Sequence, residues 1–107
     1  MALTREFRRT VVERVRRDPA FAKALLDEAA TLFLNGEPHA SRLILRDLVN
    51  ATVGFEELSA ETARPAKSLH RMLSEKGNPT MDNLAAILYV LRKRLGVEIK
   101  AHTVEAA

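Results

Sequence analysis

Apolar residues recur at helical spacing along nearly the whole chain, and the pattern breaks at a few well-marked points. Phe7, Val11 and Val15 recur every four residues and predict a first helix over residues 4–17. Thr4 suits its N-cap, because the hydroxyl can accept an orphan amide of the first turn. Asp18-Pro19 ends this helix and starts another: Asp caps, and Pro at the first helical position gives up an amide that would be unpaired anyway. The second helix is expected to reach about Leu34, with Phe21, Leu25, Ala29, Leu32 and Phe33 facing inward and Asn35-Gly36 as its stop. The pair predicts a helical hairpin over residues 1–37.

A third helix follows Pro38 and runs to about Val53, with Leu43, Ile44, Leu48 and Ala51 as its buried side and Gly54 as its stop. Three shorter helices are expected over residues 55–62, 65–73 and 80–95. The last starts on Thr80, carries Leu84, Ile87, Leu88 and Leu91 on its apolar face, and ends at Gly96. Val97-Glu98-Ile99-Lys100 then alternates apolar and polar, which predicts a short strand. The chain offers this strand no internal partner, so pairing across a two-fold axis predicts a homodimer. The expectation is an all-α fold of about six helices in one domain. It comprises the hairpin 1–37, a main unit 38–97, and a strand and tail 98–107.

Composition changes this picture in three respects. At 107 residues the chain can bury a core without crosslinks, and its lack of cysteine excludes disulfides and thiolate metal sites. The N-terminus has no apolar run of signal-peptide type, and no apolar run approaches the ~20 residues needed to span a bilayer. A cytoplasmic protein with no membrane partner is therefore expected. The net charge of +3 permits nucleic-acid binding without establishing it.

That charge is uneven. Residues 1–17 hold six arginines against two glutamates, whereas residues 54–80 hold four basic and four acidic residues. The N-terminal arginines admit a solvated face, phosphate contact, or an interface with an acidic partner protein. A basic helix on a membrane surface is disfavoured by the narrow stripe of Phe7, Val11 and Val15, which the core needs.

Candidate chemistry lies in residues 55–97. Two short helices are joined by only about three residues, Thr62, Ala63 and Arg64, which forces a steep crossing of helix-turn-helix type. Leu58 is the inward residue of the first, small Ser59 allows close approach, and Leu69, Met72 and Leu73 face inward on the second. Its outward face then carries Ala66, Lys67, Ser68, His70 and Arg71, short, polar or basic as a helix entering a major groove requires. His39, His70 and His102 show no metal-ligand spacing. No Ser-His-Asp arrangement and no Gly-rich phosphate loop is present, so neither an enzyme nor a cofactor is expected.

The residues Glu57-Leu58-Ser59, the run 65–73, Gly77-Asn78-Pro79-Thr80, Leu84 and Ile87 together resemble the phage-repressor (XRE-like, lambda-repressor-like) helix-turn-helix family. The run LHRMLSEKGNPTMDNLAAIL, residues 69–88, is particularly similar to the branch of addiction-module antidotes, the HigA-like antitoxins. The resemblance covers about residues 40–97. It implies base reading by Pro65, Ala66, Lys67, Ser68 and Arg71. Lys67 and Arg71 suit guanine O6 and N7, and Ala66 suits a thymine methyl. It implies phosphate contacts from Arg64, His70, Lys76 and Asn78. Two positions depart from the family pattern: Ala63 stands where the turn usually has Gly, and Thr62 where it has an aliphatic residue. A β-carbon strains positive φ, so a wider or differently shaped turn is expected.

The resemblance implies a sequence-specific DNA-binding transcriptional regulator acting on double-stranded DNA as a homodimer. A toxin-neutralising antitoxin is the alternative from another class, and it is compatible with DNA autoregulation. A helix-turn-helix that serves only as a scaffold is a third reading.

Overall fold

Side-chain capping sets the starts of two of the helices, those capped by Asp18 and Thr80. The computed structural model describes residues 5–107, so the expected cap at Thr4 lies outside the described residues. The elements are α1 (Arg5–Arg17), α2 (Pro19–Leu34), α3 (Pro38–Ala51), α4 (Gly54–Thr62), α5 (Ala66–Met72) and α6 (Met81–Leu95). Asp18 is extended and accepts the Phe21 amide at 3.2 Å, with Pro19 in the first turn of α2. Thr80 caps α6 likewise, accepting the Asn83 amide at 3.1 Å. At the other end of α6, left-handed Gly96 lets the Val97 amide turn back onto the Arg92 carbonyl at 3.0 Å.

Helix α3 is the hub. It packs on α1, α2 and α4, while α6 lies against α4 and α2 and α5 lies against α4. One contiguous cluster runs from Val15, Leu26 and Leu45 through Leu48 and Val49 to Leu58, Leu69, Leu73, Ile87 and Leu91. Each fully buried leucine contributes about 1.5–3 kcal/mol relative to exposure.

Several inward positions differ from the periodicity reading. In α2 the fully buried residues are Ala22, Leu26, Ala29 and Ala30, and Phe21, Leu25, Leu32 and Phe33 are half-buried. Small residues take the tightest contacts: the buried Ser41 hydroxyl of α3 donates to the Ala29 carbonyl at 2.7 Å. In α3, Leu45 and Val49 join Leu48 and Ala51 inside, whereas Leu43 and Ile44 are half-buried. A hub helix is covered on several sides, so one stripe under-describes it. On α6, Val90 is buried and Leu88 half-buried. Phe7, expected on the α1 stripe, is 52% exposed.

Asp47 of α3 is 8% exposed. Burial holds its carboxyl above the ordinary value, opposed by the nearby Arg8 charge.

The described residues contain no strand. The expected strand at 97–100 has no second strand paired with it among the described residues, so no ladder forms there. Its alternation persists nonetheless. Val97 and Ile99 are half-buried against the core and Glu98 and Lys100 are exposed. Among the described residues, no helix is long and apolar enough to cross a membrane.

Candidate nucleic-acid interface

The α4–α5 corner is three residues long, Ala63, Arg64 and Pro65. Ala63 adopts φ 55° and ψ 39°, a left-handed conformation that favours glycine. The β-carbon is accommodated in it. Hydrogen bonds among its own residues hold the turn. The Ser59 hydroxyl donates to the Arg64 carbonyl. The Thr62 hydroxyl donates to the Leu58 carbonyl at 2.7 Å, which satisfies the polar group at the position where an aliphatic residue is usual. The Arg64 amide donates to the Ser59 carbonyl at 3.3 Å.

Beneath the corner, Leu58, Leu69 and Leu73 are completely buried, and Met72 is half-buried. This anchoring fixes which side of α5 faces out. Lys67, His70 and Arg71 are exposed there, and Ala66 and Ser68 are half-buried beside them. The side chains of Lys67 and Arg71 make no hydrogen bond or ion pair with any described residue. A shallow depression of about 460 Å³ runs between Ala66, Lys67, His70 and Arg71 of α5 and Phe55 and Glu56 of α4. The His70 ring lies over Phe55, with centroids 4.5 Å apart.

Pro65, Lys76 and Asn78 are exposed around this face. Arg64 is different. It is half-buried, its Nε donates to the Asn83 carboxamide oxygen of α6, and its Nη1 donates to the Thr62 carbonyl at 2.9 Å. The loop behind α5 is pinned from α3: Arg42 donates to the carbonyls of Ser74 and Glu75, each at 3.4 Å. Gly77 in that loop is buried, and a β-carbon there would lie 2.1 Å from the Met72 carbonyl oxygen.

The charges of the segment are only partly paired within it, and exposed Glu56 borders the same depression as Lys67 and Arg71. Glu57, one of the four acidic residues of the segment 54–80, is ion-paired to Arg94 of α6. Lys67, Arg71 and Lys76 have no such partner within the described residues. Sequence reasoning missed the structural tasks of Arg42, Asn83 and Arg94, because each acts across a long separation in the chain.

No family model matches the chain, and neither a curated protein nor a solved structure matches it significantly.

Proposed function

We propose that the protein is a sequence-specific DNA-binding transcriptional regulator of the helix-turn-helix type, in which α5 enters the major groove. The observation that carries this reading is the pair Lys67 and Arg71. They stand one helical turn apart on the exposed side of a short helix whose other side is anchored by buried Leu69, and neither is ion-paired among the described residues. Ala66 and Ser68 leave the face low enough to approach base edges, with Pro65 at its leading end. Lys67 and Arg71 are donors suited to guanine, and Ser68 suits a base or phosphate. Lys76, Asn78 and His70 flank this surface as phosphate contacts, while Arg64 acts chiefly by holding the corner. A homodimer would present two such helices one DNA turn apart, about 34 Å. A cytoplasmic protein with the phage-repressor-like, antidote-branch resemblance fits this role.

Unbiased selection of bound duplexes from random DNA tests the reading. A single enriched motif is expected, with affinity falling steeply with salt. Arg71→Ala should cost about 1–3 kcal/mol on that motif and relax base choice at one position. Equal loss on motif and random DNA would make Arg71 a phosphate contact. No enrichment at low salt would sink the regulator reading and leave the scaffold reading.

A second reading is favoured by α1. Exposed Arg5 and Arg9 on this helix form a basic surface suited to an acidic protein partner such as a toxin. Co-purification of a small acidic protein, lost on Arg5→Glu with Arg9→Glu, is its expected outcome.

A further inference from the structure

The segment that leaves α6 has one face in use and one edge unused. Val97 and Ile99 pack on the core, and with Ala20, Lys23, Ala24 and Asp27 of α2 they border a groove of about 480 Å³. The backbone groups of Glu98, Ile99 and Lys100 make no hydrogen bond within the described residues. A stretch with period-two burial and unpaired amides and carbonyls is a template for another strand.

We infer that this edge pairs with the same segment of a second copy, as an antiparallel two-stranded ribbon whose two-fold axis passes through Ile99. The inference deepens the dimer part of the regulator reading and specifies its interface.

The register follows from symmetry and charge. In a two-fold antiparallel ribbon the axis is perpendicular to the ribbon, so directly opposed residues have the same parity and share a face. The axis must therefore pass through a residue. Centred on Glu98 or on Lys100, it would set that charge directly against its own copy. Centred on Ala101, it would set Lys100 against His102. Centred on Ile99, it sets Glu98 of each copy against Lys100 of the other, giving two opposite-charge pairs on the outer face. The inner face then holds Ile99 against Ile99, and Val97 against Ala101, continuous with the apolar surface already lying over α2. Four charges thus select one register, and one-residue slips are opposed by like charges.

The test uses the full chain without DNA. Light scattering at micromolar concentration should give twice the 11.9 kDa chain mass. Glu98→Lys and Lys100→Glu should each weaken self-association about tenfold, since each turns two attractive pairs repulsive. Mixing the two variants should restore pairing as a one-to-one heterodimer, visible by native mass spectrometry. Ile99→Cys, in a chain otherwise free of cysteine, should crosslink under mild oxidation far faster than Lys100→Cys or Thr103→Cys. A monomeric wild type overturns the inference, as does a dimer indifferent to both charge reversals or one without heterodimer preference. Because DNA is absent, a monomer here leaves groove reading by α5 standing. A dimer that selects no DNA motif has the converse meaning.

Discussion

The guanidinium of Arg64, in the corner between α4 and α5, donates to the side-chain oxygen of Asn83, in the first turn of α6. Asn83 also gives its amide to Thr80, so one residue links the cap of α6 to the corner that sets α5. Arg64→Ala and Asn83→Ala should each cost about 1–2 kcal/mol, because a part-buried charged donor or its acceptor loses its partner. The double variant should cost less than the sum, by at least about 0.5 kcal/mol in urea unfolding. Full additivity would show that the contact adds nothing to stability.

Gly77 is set by space. Its missing β-carbon makes room for the Met72 and Arg71 carbonyls, at 2.1 and 2.5 Å from where that atom would sit. Gly77→Ala should therefore destabilise by more than about 2 kcal/mol, as backbone must move around a buried residue. Gly36→Ala is the control: φ is +86° but nothing lies within 4 Å, so only conformational strain of about 1–2 kcal/mol applies. Equal losses at the two sites would contradict the steric account.

Ala63→Gly acts in the opposite direction. Relief of a left-handed alanine is worth about 1–2 kcal/mol, and the greater freedom of an unfolded glycine takes back about 0.4–1 kcal/mol. A net gain between about 0 and 1.6 kcal/mol is expected, read as a higher Tm. A lower Tm would mean that the alanine methyl makes contacts that outweigh its strain.

Asp47 gives the stability a pH signature. Burial, only partly offset by Arg8, raises its folded-state pKa, so the folded protein holds this proton more tightly than the unfolded chain. Its contribution is fully present below the ordinary value of 3.8 and is lost as pH rises through the folded-state value. Asp47→Asn should thus unfold at a higher temperature than wild type at pH 7.5, with the advantage shrinking on acidification and gone below pH 3.8. A variant less stable than wild type at neutral pH would show that the Arg8 attraction outweighs the burial cost.

Capping chemistry made the helix boundaries legible. Asp18-Pro19, Asn35-Gly36, Thr80 and Gly96 act locally and stand where the chain turns. The buried Leu58, Leu69 and Leu73 were equally readable, because α4 and α5 each bury a single side. Periodicity failed where that condition fails. Central α3 buries Leu45 and Val49 beside the expected Leu48 and Ala51 and leaves Leu43 and Ile44 half-buried, and α2 meets it through alanines that carry little hydrophobic signal. Within the candidate site, the exposed face of α5 followed from its buried one. The tasks of Arg42, Arg64 and Arg94 did not, since their partners lie 19 to 42 residues away. A basic side chain in a sequence carries no mark of whether its target is a solute or a distant carbonyl.

The left-handed Ala63 also bears on how the corner comes to exist. Its backbone conformation is one that the residue resists on its own. An excised peptide of residues 54–73 would have little reason to keep the bend, and α5, at seven residues, is too short to persist alone. The corner therefore depends on the assembled core, and the surface proposed to read DNA exists only while α4 and α5 stay packed there.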